Sequence, residues 1–73
     1  MPKLGLFSGQ EIAHILEKAG LLAVRQKGSH LIMQKQIDGG TITVPIPMHK
    51  VVRIGTLQSI IRQSDIPKEA FFV

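Results

Sequence analysis

The sequence predicts an α+β fold in which a three-stranded antiparallel sheet carries two helices on one face and a short helix closes the C-terminal end. Three observations carry that reading. Apolar residues recur at helical period near both ends of the chain, period-two runs fill its middle, and Gly-containing turns separate those runs. The first helix is announced at Ser8. Ser8-Gly9-Gln10-Glu11 has the spacing of a capping box, with Ser8 as N-cap and Glu11 reaching back to it. Ile12, Ile15, Leu16 and Ala19 then follow at i, i+3, i+4 and i+7 as one apolar stripe. Gly20 can take the left-handed conformation that ends such a helix.

Residues 22–26 read as a first strand, with Leu22 and Val24 on one face and Ala23 and Arg25 on the other. Lys27-Gly28 makes a tight connection to a second strand at residues 30–36. Asp38-Gly39-Gly40 is a strong hairpin turn into a third strand at residues 41–45. Pro45 and Pro47 lack the N–H that a ladder needs, so the third strand is expected to stop there. Gly55-Thr56 opens a second helix, in which Leu57, Ile60 and Ile61 face inward and Gln58, Arg62 and Gln63 face outward. Pro67 suits the first turn of a short terminal helix, with Ala70 and Phe71 closing onto the core. Double-stranded-RNA-binding domains share this α-β-β-β-α order, although a fold does not by itself fix a function.

The length of 73 residues leaves room for one domain, spanning 1–73, and one small core. Cysteine is absent, which excludes a disulfide and a thiolate metal site. No apolar run approaches the roughly 20 residues that span a bilayer. The N-terminus shows no signal-peptide core, so the expected location is cytoplasmic, with no membrane partner. Lys and Arg outnumber Asp and Glu nine to five, a net charge of +4 that suits nucleic acid or an acidic protein partner. Trp and Tyr are absent and two of the three Phe sit at the C-terminus, which argues against a base-stacking platform.

Chemistry concentrates in Arg25-Gln26-Lys27-Gly28-Ser29-His30. Two cations, a permissive Gly, a hydroxyl and an imidazole are the groups that hold a phosphodiester and move a proton on it. Ser29 reads either as a phosphate donor or as a plain turn residue. A metal-dependent nuclease would need clustered carboxylates. Glu11 and Asp38 have capping and turn duties, and neither Glu17, Asp65 nor Glu69 lies near the Lys27–His30 stretch, so no metal and no cofactor is expected. A Ser hydrolase is disfavoured because Ser29 and His30 are neighbours on extended chain and no Gly-x-Ser-x-Gly elbow exists. His14 lies about 200° around the first helix from Ile12 and so faces solvent. His49, in Pro47-Met48-His49-Lys50, reads as an exposed loop residue or as a second catalytic group. The face taken by His30 stays open, because Ile32 shares its parity while Leu31 and Met33 take the other.

Taken in order, the Arg25–His30 run, the Asp38-Gly39-Gly40 turn, Val44-Pro45, His49 and Gly55-Thr56-Leu57-Gln58-Ser59-Ile60-Ile61-Arg62-Gln63 resemble the HicA family. These are small mRNA interferases, the toxins of HicA–HicB toxin–antitoxin pairs. The similarity covers nearly the whole chain, with Ser64-Asp65 where members commonly carry an Ala-Gly-like pair. The resemblance implies a double-stranded-RNA-binding-like fold, a catalytic histidine at His30 and a HicB-like antitoxin that covers the toxin. The resulting expectation is the toxin of a type II pair that cleaves mRNA without metal. In it His30 is general acid or base, Lys27 and Arg25 stabilise phosphoryl charge, Gly28 allows close approach and Ser29 donates to phosphate. The alternatives are a non-catalytic RNA-binding module of the same fold and a purely protein-binding subunit.

Overall fold

The computed structural model describes residues 5–72. Its elements run α1 (Gly9–Lys18), β1 (Leu22–Lys27), β2 (His30–Ile37), β3 (Gly40–Pro47), α2 (Ile54–Ser64) and a terminal 3-10 turn (Lys68–Phe71). This is the expected double-stranded-RNA-binding-like order, with an antiparallel sheet in the order β1-β2-β3. The capping box forms as read. The Glu11 amide donates to the Ser8 hydroxyl oxygen at 3.1 Å, and the Ser8 amide donates to the Glu11 carboxylate at 2.8 Å. Two orphan donors of the first turn are thereby satisfied. At the other end Gly20 takes φ +101°. The Lys35 ammonium reaches across from β2 to donate to the Ala19 carbonyl at 3.1 Å. A cation at a helix C-terminus is favourable, and this one also ties α1 to the sheet.

Ile12, Ala13 and Leu16 of α1, Leu57 and Ile60 of α2, and Met33, Val44 and Ile46 of the sheet form one buried cluster with Leu21, Val52 and Phe71. Both helices therefore cover the same sheet face. The stripe of α1 is rotated slightly from its expected position, since Ala13 is buried while Ile15 and Ala19 are only half-buried. In the terminal 3-10 turn Phe71 is buried in the core, packing edge-on against Phe7 with ring centroids 5.9 Å apart. Ala70, expected to close beside it, is exposed because the tight 3-10 turn directs it outward.

Three details of the sheet differ from the expectation. The strands are longer: β1 reaches Lys27, β2 reaches Ile37, and β3 runs from Gly40 through both prolines to Pro47. β3 lies at the edge of the sheet, where alternate N–H groups point away from the neighbouring strand. Pro45 and Pro47 share that phase and leave the ladder intact. Second, the β1–β2 register shifts between Ala23 and Arg25, leaving Val24 as an extra, bulged residue. Leu22 and Val24 therefore do not alternate strictly with Ala23 and Arg25. Beyond the bulge the phase is reversed, and Arg25 sits opposite Ile32 on the face that the helices leave bare. Third, the turns contract to two residues, Gly28-Ser29 and Asp38-Gly39. Gly28 at φ +60° and Gly39 at φ +85° occupy conformations that side chains resist.

Candidate active site

Met33 is fully buried. His30, three residues away on the same strand, therefore points to the opposite, helix-free face, and its orientation is settled. Lys27 is its cross-strand partner in β1 and Pro47 its partner in β3. Arg25, Ile32 and Pro45 make the next row inward on the same face. The bulge at Val24 is what brings both cations to this side. Strict alternation from Leu22 would have sent Arg25 and Lys27 to the face of Met33. Arg25, Lys27 and His30 are all exposed, so the two cations and the imidazole are within reach of a ligand.

The Gly28-Ser29 turn holds these residues at one end of the sheet. The Gln26 side-chain amide donates to the Gly28 carbonyl at 3.2 Å and braces the turn. The space beside the Gly28 α-carbon is open, so backbone there is reachable from solvent. Ser29 is exposed, and its carbonyl accepts the Met48 amide at 2.7 Å. That bond joins the residue before His30 to the residue before His49. The segment from Met48 to Arg53 is fastened from its other side as well. The Gly9 amide donates to the His49 carbonyl at 2.9 Å, and the Val52 amide donates to the Phe7 carbonyl at 2.8 Å.

A cleft of about 440 Å³ opens at this end of the sheet, lined by His30, Pro47, His49, Val51, Val52, Arg53 and Thr56. A smaller hollow of about 270 Å³ lies on the other side of His49, between Ser8, Gln10, Met48 and Lys50. Arg53 is the N-cap of α2 and Thr56 belongs to its first turn. The cleft thus combines two imidazoles, a guanidinium and a hydroxyl over an apolar wall of Pro47, Val51 and Val52. The sequence left His49 as either an exposed loop residue or a second catalytic group, and gave Arg53 and Thr56 no part in the site. The available signal was topological: an antiparallel hairpin returns the end of β3 to the start of β2. His14 is exposed on α1 and does not line the cleft, as its helical phase predicted. Among the described residues no group of three His, Cys, Asp or Glu side chains is placed to hold a metal ion.

A sheet with both helices on one face, and an imidazole among cations on the other, defines a small basic protein of the double-stranded-RNA-binding-like α+β class. The family described as HicA toxin of bacterial toxin-antitoxin matches residues 9–66. The chain belongs to that family: it is a toxin of a toxin–antitoxin system, and toxins of this kind are paired with an antitoxin. Comparison with curated proteins and with solved structures finds no match. Among the described residues no helix is long and apolar enough to cross a membrane.

Proposed function

We propose that this chain is a cytoplasmic, single-domain endoribonuclease that cleaves mRNA through His30 without a metal ion, and that a HicB-like antitoxin holds it inactive. The observation that carries the reading is the row formed by Lys27 and His30, with Arg25 beside it, on the bare face of the sheet, where His30 also lines the cleft. Lys27, with Arg25 as helper, stabilises charge on the phosphoryl oxygens. Gly28 leaves room for a phosphate to approach the backbone, and the Ser29 hydroxyl donates to it. His30 transfers a proton as the ribose 2′-OH attacks the adjacent phosphorus. A positioned imidazole is worth roughly 10²- to 10⁴-fold in rate. DNA lacks that nucleophile and resists cleavage.

The test is purified toxin incubated with single-stranded RNA in excess chelator, beside the His30→Ala variant. The wild type is expected to cut and His30→Ala to fail while keeping its circular dichroism spectrum. Activity that disappears with chelator and returns with Mg²⁺, or a folded His30→Ala protein that cuts at the normal rate, rejects the mechanism. The second reading, a non-catalytic RNA-binding module, draws on the fold, since the same cations can contact duplex phosphates across a minor groove. It is favoured if RNA binds and stays intact.

A further inference from the structure

We infer that His49 is a second catalytic residue, the proton-transfer partner of His30 across a single phosphodiester bound in the cleft. The inference rests on the endoribonuclease reading above and deepens it. Transesterification needs two proton movements. The 2′-oxygen loses its proton as its bond to phosphorus forms. The 5′-oxygen gains one as its bond to phosphorus breaks, leaving a 2′,3′-cyclic phosphate and a 5′-hydroxyl. One imidazole at one side of the phosphorus serves one of those events, and the other needs a second group or water.

Three observations make His49 that group. It lines the same cleft as His30, and of the three histidines in the chain only these two do so. The Met48 amide bonds to the Ser29 carbonyl, so the residues preceding the two histidines are joined directly and the spacing between their backbones is fixed. The His49 carbonyl is held in turn by the Gly9 amide at the start of α1. A loop histidine fastened at both ends is oriented in a way that a merely solvated one need not be, and such positioning is what lets an acid or base act. The charged groups around the pair are Lys27 beside His30, Lys50 beside His49, and Arg53 in the cleft wall. Among the described residues no carboxylate lines the cleft, so the two imidazoles are the side chains there suited to general acid–base work. Arg53 serves the phosphate as a charge and a hydrogen-bond donor.

The experiment uses the full-length toxin, an oligoribonucleotide carrying its mapped cleavage site, and the same oligonucleotide with sulfur replacing the bridging 5′-oxygen at that site. A thiolate leaves without needing a proton, so the sulfur substrate bypasses the general acid alone. On the ordinary substrate His30→Ala and His49→Ala are each expected to cut roughly 10²- to 10⁴-fold more slowly, with RNA affinity and melting temperature retained. On the sulfur substrate one of the two variants, and only one, recovers close to the wild-type rate. That variant identifies the acid, and the other histidine is the base. Recovery of neither or of both, or a His49→Ala protein that cuts the ordinary substrate at the wild-type rate, overturns the pairing while leaving His30 in place. A wild-type protein that cuts neither substrate overturns the endoribonuclease reading itself, and the pairing with it. His49→Asn, which keeps a polar side chain of similar size, is expected to behave as His49→Ala does. Full activity in His49→Asn would show a positioning role instead and overturn the inference.

Discussion

At Gly9 an added methyl group would run into the Pro47 carbonyl oxygen and lie 2.7 Å from the Met48 Cα. Both obstacles are backbone, so neither can swing aside. The glycine is what lets the first turn of α1 lie against the segment that carries His49, close enough for its amide to reach the His49 carbonyl. Gly9→Ala is therefore expected to cost about 1–3 kcal/mol of stability, the usual penalty for overpacking. It should also slow RNA cleavage by displacing His49, although it touches no reacting atom. Gly55, inside α2, makes the control. A Cβ there meets nothing within 4 Å, and Gly55→Ala should gain up to about 1 kcal/mol by favouring the helix. Thermal melts of the two variants, with cleavage rates alongside, check both signs. A Gly9→Ala protein as stable as the wild type would mean that the segment yields easily and that its contact with α1 fixes little.

Among the elements, β1 buries the least and has the most consequence for the candidate site. All six of its residues are exposed. It is held by pairing with β2 and by the Gly28-Ser29 turn, with α1 touching it only lightly. Because the bulge at Val24 turns Arg25 and Lys27 to one face, both cations should contact the same RNA backbone. Each neutralised single-strand phosphate contributes about −0.7 to the log–log dependence of affinity on salt. Lys27→Ala and Arg25→Ala should each flatten that slope by about this amount, and the double variant by about twice as much. Binding titrations across salt concentrations check it. A slope unchanged by Arg25→Ala would mean that only the row containing His30 meets RNA. The sequence made visible what depends on near neighbours: the Ser8–Glu11 cap, the left-handed glycines, and the inward phase of Leu57 and Ile60. It could not show the bulge, because Leu22, Ala23 and Val24 are all apolar and an inserted residue leaves no mark on such a pattern. Nor could it show that β3 is an edge strand able to carry Pro45 and Pro47, since edge position is a property of the whole sheet. The candidate site divides in the same way. Its contiguous part, from Arg25 to His30, was legible, whereas His49, Arg53 and Thr56 reach the cleft only through the return of β3 and the start of α2.

At the scale of the whole molecule, four of the nine basic residues gather toward the end of the sheet that carries the cleft. Lys27, Arg25, Lys50 and Arg53 stand at or near one end of the sheet; among the described residues no Asp or Glu lines either hollow that meets at His49, and Glu11, the nearest by chain, is held by the Ser8 amide. An antitoxin that presents acidic groups to this end would be steered to it, an effect seen mainly in the association rate and weakened by salt. Hydrogen exchange on free and antitoxin-bound toxin is expected to show slowed exchange over residues 25–35 in the complex. Unchanged exchange there, or RNA cleavage continuing in the complex, would move the inhibition elsewhere. The bulge at Val24 has one more consequence, for how copies of this toxin treat one another. The free edge of β1 carries exposed Leu22 and Val24, and an even, apolar edge is a template on which a second chain adds a strand. Here the extra residue interrupts the row of free amides and carbonyls halfway along. Just beyond it, Arg25 and Lys27 would bring like charges against any incoming copy. The irregularity that turns Arg25 and Lys27 to the bare face of the sheet thus also makes the edge of β1 a poor template for a second copy.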